Sequence, residues 1–517
     1  MNGNGSKASE PTIMSKIEEE TCQMGKRNKE ITEPKEMKSA ATLIVEAVRN
    51  EDSGLTELWH TSEGGCYISV CFNDGHVEHK SLKAKSTKQW IAGSYFDQTN
   101  KVANSSAISS AIVVLEGYAM NGPTYTTYTR VAEVEEEGEI YIDLGDKTWD
   151  AIRITQEGWD VVRNPPVKFQ RNKGLKPLPR PEKSGSIDDL RSILNIEKDD
   201  QWLLVKGWLL GTISPNGPYA ILAVGGEQGS AKTWLGKILR SIIDPNALAS
   251  RRPPKNTEDL MIAANNNWIV SFDNLSKITP KMSDDLCNLA TGGGLSKREL
   301  YSDSDETIIH VCRPMIVNGI EDVVTRQDLL DRAIYISMPT IPKEKRLPEK
   351  SLLKQFNQMH PKILGALLDA AVVGLQRRDT IEVSGLPRMA DFALWVMSAL
   401  GDQGPEFLAA YMANRDNAVK DALDDNPVAM SLIGFMDLKE GGEWSGTATE
   451  LLRLLDTMTG YAVRRPPQGW PRAPNALSGI LKRLKPGLPK MGIRVEFGRD
   501  ESIKSRVITL TKVGIEE

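Results

Sequence analysis

The apolar run Tyr219–Val224 (YAILAV) passes into Gly225-Gly226-Glu227-Gln228-Gly229-Ser230-Ala231-Lys232-Thr233 and then into the helical pattern TWLGKILRSII. Strand, glycine-bearing loop and helix in that order commit this stretch of the chain to a sheet whose strand ends face a helix N-terminus, the setting of a phosphate-binding loop. Glycines let successive backbone N–H groups converge on an anion, and the helix start adds the positive end of its dipole. Lys232 is placed to reach the outer phosphates and Thr233 to ligate Mg²⁺. The candidate nucleotide contacts are thus Gly226, Glu227, Gln228, Gly229, Ser230, Ala231, Lys232 and Thr233. Ala231 stands where such loops carry a second glycine, and alanine fits there if φ stays negative.

Three more short apolar runs follow: WIVSF, PMIVNG and AIYISM. Runs of this length between helical patterns predict a parallel sheet covered by helices on both faces, an α/β core over 186–345. The first ends in Asp273, as needed to hold Mg²⁺ beside the loop, so Thr233 and Asp273 are the expected metal-site residues and ATP with Mg²⁺ the expected cofactors. Asn274 occupies the position where a glutamate would activate water; an amide orients a water but cannot take its proton. Glu227 or Asp273 is left as base, with Glu227 also readable as an exposed or metal-ordering side chain. Asn318, ending the next run, is read as a γ-phosphate sensor or as a turn residue before Gly319. Arg332, with Arg326 in reserve, either reaches a neighbouring subunit's nucleotide or pairs locally with Asp328 or Asp331.

The order GEQGSAKT, WIVSFDN, TGGGLSKRELYSDSDE, RPMIVNG, DLLDRAI resembles the superfamily 3 helicases, particularly the ATPase regions of phage, plasmid and poxvirus-type primase-helicases, over about Trp202 to Pro339. The resemblance implies a hexameric ring with ATP between subunits and strand separation during replication of a mobile element. It also implies a DNA-gripping hairpin, with Lys297 and Arg298 on its tip. Asn274 and Ala231 depart from the family pattern. The block LPRMADF looks like a recurring stretch of phage-type ATP-binding proteins; Arg388 in it either senses phosphate or stands beside a helix start shaped by Pro387 and Asp391.

Around this core, residues 1–36 are a polar tail and 37–172 a mixed α/β domain in the position that related proteins give to a primase-linked module. Residues 173–185 (KGLKPLPRPEKSG) read as an extended connector, with Ser186 capping the next helix. Residues 346–430 form a helical lid and 431–517 two helices and two strands that resemble a winged helix. Tyr461–Lys512 carries 12 Lys and Arg against 3 Asp and Glu although the whole chain is −5, so Lys482, Arg483 and Lys485 are candidate DNA contacts, with Arg499 and Lys504 on the wing. Asp143 and Asp146 fit a β-turn better than a metal pair. Five cysteines without CxxC spacing are read as reduced thiols, and the absence of a signal-like or spanning apolar run predicts a cytoplasmic protein. Two functions compete: a DNA-stimulated ATPase of helicase type, working with other replication proteins, and a nucleotide-gated DNA-binding initiator that hydrolyses ATP slowly or not at all.

Overall fold

The structure is a computed structural model; it describes residues 1, 38–275, 278–298, 306–309, 311–319, 326–461, 465–467, 469–500 and 505–514. The chain folds as two units, Met1–Ser53 with Lys85–Leu115, and Gly54–Ala84 with Glu116–Glu517. In the first, α1 (Ala40–Arg49) is capped by Ser39, whose side chain accepts from the Thr42 N–H, and buries Ile44, Val45 and Val48. α2 (Lys85–Thr99) buries Ile91 and Tyr95, and Gln98 donates to the Ala47 carbonyl at 2.8 Å. The opening turns of α3 (Ser105–Met120) complete this unit.

The second unit begins with an antiparallel meander, β1 (Leu55–His60), β2 (Cys66–Cys71) and β3 (Val77–Ser81). After β4 (Thr127–Tyr128) comes a second meander of β5 (Val131–Val134), β6 (Glu139–Asp143), β7 (Ala151–Ile154) and β8 (Trp159–Val162), and β9 (Lys168–Phe169) returns parallel to β4. Alternation in EIYID and AIRI puts Ile140, Ile142, Ile152 and Ile154 on one face. That face joins the same buried cluster as Trp202, Trp208, Leu239 and Leu368. One face of the second meander thus packs into the α/β core across position 172, while Ala132, Tyr141, Ala151, Val167 and Phe169 form a separate small cluster.

A buried polar knot explains the attachment. Arg130 donates to the Asp143 and Lys176 carbonyls and lies 3.5 Å from Asp244, while Arg240 donates to Asn267 and approaches the same carboxylate at 3.5 Å. Asp244 Oδ2 also accepts from the Trp268 and Ile269 N–H groups. The stretch 173–185 is likewise no free linker. Leu178 is buried, the Lys176 N–H bonds to the Pro245 carbonyl, and the Glu182 N–H bonds to the carbonyl of Pro361. The Ser186 cap is present, accepting from the Asp188 N–H, but opens a 3₁₀ turn, Ile187–Ile193.

In the core, α4 (Asp199–Gly211), β10 (Ile221–Gly225), α5 (Lys232–Ile243), α6 (Thr257–Asn265), β11 (Val270–Leu275), α7 (Pro280–Thr291), β12 (Leu295–Arg298), β13 (Glu306–Ile309), β14 (Met315–Gly319), α8 (Gln327–Leu330) and β15 (Ala333–Ser337) follow in order. All four apolar runs become strands of one parallel sheet, ordered β11-β14-β10-β15. The expected lid is helical: α9 (Glu349–Arg377), α10 (Ala390–Leu400) and α11 (Gly404–Asp424). It packs on α4 through glycines, since a Cβ on Gly207 would meet Phe407 at 2.3 Å and one on Gly211 would meet Phe392 at 2.2 Å.

The C-terminal region runs α12 (Pro427–Asp437), β16 (Glu443–Gly446), α13 (Ala448–Thr459), α14 (Pro474–Leu484), β17 (Ile493–Asp500) and β18 (Ser505–Lys512), with strand order β16-β18-β17. α13 opens with a full capping box between Thr447 and Glu450. Among the described residues no helix is long and apolar enough to cross a membrane, and Cys66, Cys71, Cys287 and Cys312 are free thiols. Cys22 and the tail 2–37 lie outside the described residues.

Candidate nucleotide-binding site

Because the core sheet is parallel, the C-terminal ends of β10, β11, β14 and β15 share one edge, where ligands bind in sheets of this kind. Chain order becomes spatial convergence there. β10 is fully buried at the centre and hands the chain to the loop; α5 then leans on the sheet through Leu235, Ile238, Leu239 and Ile242. Gly226 has φ +139°, and a Cβ on it would meet the Met338 carbonyl oxygen at 2.5 Å, so only glycine fits. Ala231 corrects the sequence reading: its φ is +68°, in the left-handed region. It is also the N-cap of α5, and no side chain caps the helix. Among the described residues the backbone N–H groups of Gly229, Ser230, Ala231 and Lys232 have no acceptor, which leaves a row of donors at a positive dipole end.

Lys232 bends back across this concavity, donating to the Gly226 and Glu227 carbonyls at 2.6 and 2.8 Å. Burial lowers its pKa, and Asp273 acts in the opposite sense. The Thr233 hydroxyl donates to Asp273 Oδ1 at 3.2 Å. Hydroxyl plus carboxylate is a hard-oxygen pair suited to Mg²⁺ that keeps most of its waters, so the residues present fit that ion. In register, Val224 of β10 lies beside Asn318 of β14. Asn318 is buried, and its Oδ1 accepts from the Asn274 N–H at 2.8 Å, locking the end of β11 to the end of β14. Asn274 has φ +60°, a conformation that asparagine tolerates and glutamate resists, which accounts physically for an amide at this position. Its side chain is exposed.

Four residues that the sequence did not single out brace this edge. Asn195 donates to the Ser230 and Pro339 carbonyls, Thr340 donates to the exposed Glu227 carboxylate at 3.0 Å, and the Arg346 guanidinium stands so near Gly229 that a Cβ there would meet it at 3.0 Å. Tyr335 closes on Gly225 from β15. The signal available was adjacency to the strand ends, which cannot be read for a residue as far along the chain as Thr340 is from Glu227.

The arginines are paired locally. Arg332 is buried and donates to both the carbonyl and the carboxylate of Asp328 at 2.7 Å, the local pairing of the two alternatives. Arg388, which is exposed, donates to the same carboxylate at 2.8 Å, and Arg326 pairs with Asp284 at 3.0 Å. Arg332 and Arg388 together hold the Asp328 carboxyl below its usual range against the cost of burial. Arg326, Asp328, Asp331, Arg388 and Arg483 line a cavity of about 480 Å³ between the core and α14.

Lys297 and Arg298 lie in β12, opposite Thr307 and Glu306 of β13, so the structure places them in the strand that leads to the turn; the turn, 299–305, lies outside the described residues. Lys482, Arg483 and Lys485 are at the end of α14, with Lys482 Nζ 5.7 Å from the Phe497 ring centroid of β17, while Arg483 faces the cavity. Arg499 is in β17 and Lys504 lies outside the described residues. Asp143 accepts from the Gly145 N–H and pairs with Arg171, as a turn carboxylate does. Among the described residues no cluster of three or more His, Cys, Asp or Glu could hold a metal ion.

Residues 187–425 match the family profile described as actinomycete integrative conjugative element replication protein, and residues 428–516 match that of the C-terminal domain of the same protein. No curated protein matches the sequence. Among solved structures, the chain is similar to the apo NrS-1 C-terminal region at 13% identity and TM-score 0.40, covering 90% of this chain and 98% of that one. It is also similar to the SCCmec type IV Cch active helicase, at 12% identity and TM-score 0.44, covering 89% and 93%.

Proposed function

We propose that this mobile-element replication protein, matched by actinomycete integrative conjugative element profiles over 187–425 and 428–516, is an ATP-dependent DNA helicase or translocase of superfamily 3 type. The observation that carries the reading is the convergence of Lys232, Thr233, Asp273 and Asn318 on one edge of the parallel sheet. The N–H groups of Gly229 to Lys232 cradle the phosphates, Lys232 swings from its carbonyl partners onto them, and Thr233 with Asp273 holds Mg²⁺. Held there, the ion would supply neutralisation of the charge developing on the phosphoryl oxygens. Asn318 positions the end of β11 and senses the γ-phosphate.

Six copies form a ring with ATP between neighbours, and an arginine face built from Arg332, Arg326 and Arg388 meets the nucleotide of the next subunit. Arg388 is the more accessible member; Arg332, clamped to Asp328, shapes that face from behind. Lys297 and Arg298 reach DNA from the β12–β13 hairpin, and Lys482, Arg483 and Lys485 from a winged-helix-like C-terminal domain that docks duplex DNA or partner replication proteins.

One observation favours the second reading, a nucleotide-gated initiator with weak turnover: Asn274 cannot act as base. Strand displacement on a forked DNA, measured beside Asn274→Glu, decides between them. ATP-dependent displacement by the natural protein supports the helicase. If displacement is absent and Asn274→Glu raises ATP turnover at least tenfold, the initiator reading replaces it.

A further inference from the structure

Away from the strand-end site, a cavity of about 220 Å³ opens between β2, β3 and the chain around β9, walled by Ser69, His79, Trp149, Asn164, Lys168 and Phe169 among others. That is below the roughly 300 Å³ at which pockets take drug-sized ligands, and it matches a single planar ring. Its polar lining has a fixed direction. The Trp59 indole N–H can only donate, and it donates to Ser69 Oγ at 2.9 Å; Ser69 Oγ in turn lies 2.8 Å from His79 Nδ1. Ser69 is buried, and among the described residues His79 Nδ1 is the only acceptor within reach of its hydroxyl, so satisfying that hydroxyl sends its proton to Nδ1 and puts the ring proton of His79 on Nε2. Among the described residues Nε2 has no partner. Burial, with Lys168 and Arg171 nearby, pushes the His79 pKa down to about 3, so the ring is neutral and its Nε2–H is a standing donor.

The other walls are aromatic or pinned. Trp149 meets His79 edge-on, with centroids 6.1 Å apart, and Arg171 lies over the indole at 4.0 Å. Trp149 and Asn164 both have left-handed backbones, φ +54° and +53°. Such geometry in a tryptophan is an outlier and gathers where function over-determines the backbone. Asn164 is held there by the Val77 N–H and the Gly75 carbonyl, both at 2.9 Å. The cations are already matched: Lys168 pairs with Glu57 at 2.8 Å and Arg171 with Asp143. A ligand here is recognised through a ring and an acceptor atom, not through phosphate charge.

We propose that this cavity takes one base of single-stranded DNA, with His79 Nε2–H donating to a ring nitrogen or carbonyl of the base and Trp149 walling its plane. The choice of DNA over a free nucleoside rests on the replication reading above. Binding of short oligonucleotides by the full chain tests it, comparing a normal tetranucleotide, the same backbone without bases and free nucleosides. The normal oligonucleotide should bind about tenfold more tightly than the abasic one, with a gap little changed by salt. The gap should persist in His79→Gln, which keeps an N–H donor, and vanish in His79→Phe. An oligonucleotide carrying 5-iodouracil should photo-crosslink to Trp149 or Phe169, a readout that needs no variant. Equal binding of normal and abasic strands, a gap unaffected by His79→Phe, nucleosides binding as tightly as the oligonucleotide, or crosslinks only elsewhere would overturn the proposal. A normal gap without DNA-stimulated ATP turnover would leave this pocket standing while removing the motor reading.

Discussion

At the strand-end site Lys232, Thr233, Asp273 and Asn318 lie at or just after the ends of strands of one parallel sheet, whereas the cavity around His79 collects its walls from all three strands of an antiparallel meander, from β9 and from residues as distant in the chain as Trp149 and Asn164. The electrostatics differ as well. The first site holds uncapped N–H groups, a lysine bent over carbonyls and a half-buried carboxylate, an arrangement whose charges suit anionic phosphate and a cation. In the second, each nearby charge already has a partner and the histidine is neutral. Parallel topology lets short motifs far apart in sequence meet at one edge, so a charged site can be written in contiguous letters. A pocket that reads shape and a single hydrogen bond depends on register and on strained turns instead.

If the two sites are separate devices, they should fail separately. Asp273→Asn should lower ATP turnover by about 10² to 10³-fold, with the preference for base-containing oligonucleotides unchanged; loss of both together would break the distinction. Asp244→Asn attacks what the regions share. It removes the carboxylate between Arg130 and Arg240, and equilibrium urea unfolding should show a loss of about 3–5 kcal/mol, as for broken buried ion pairs.

Acid should act on the cavity and on α9, where the buried ring of His360 lies 3.1 Å from the Ile242 carbonyl oxygen. His79 and His360 titrate at about 3 and about 4 in the folded protein, lowered chiefly by burial, against 6.5 for a free side chain. Below pH 6.5 the unfolded chain thus binds protons that the folded chain refuses, and stability present at neutral pH is lost as pH falls. Each should cost about 2 kcal/mol by about pH 5, and His360→Gln should remove its share from a series of unfolding curves.

The smallest effect is expected at Ala231→Gly. Relief of a left-handed alanine is worth about 1–2 kcal/mol and the freer unfolded glycine returns about 0.4–1. The unfolding midpoint should therefore rise by no more than the equivalent of about 1.6 kcal/mol. A fall would mean that the loop does not hold φ +68° in solution.

Much of the core was legible because its signals are local. Four apolar runs of strand length, a loop with glycine at Gly226 and Gly229, and an acid at the end of β11 needed no knowledge of the rest of the chain. What sequence could not provide was decided by distant neighbours. Ala231 takes a positive φ because the loop must turn there to start α5, not because of its own preference. Residues 173–185 look like a linker by composition, yet carbonyls at Pro245 and Pro361 hold them down. His79 gave no sign at all, since its proton position depends on Trp59 and Ser69.

The most direct measurement is ATP hydrolysis by the full chain with and without single-stranded DNA, beside Lys232→Ala and with Mg²⁺ withheld in a parallel series. The account predicts turnover that single-stranded DNA stimulates, that requires Mg²⁺ and that Lys232→Ala abolishes while the variant unfolds at the same urea concentration as the natural protein. Turnover that survives in a folded Lys232→Ala would show that the edge of the core sheet is not where ATP is spent, and would contradict the account.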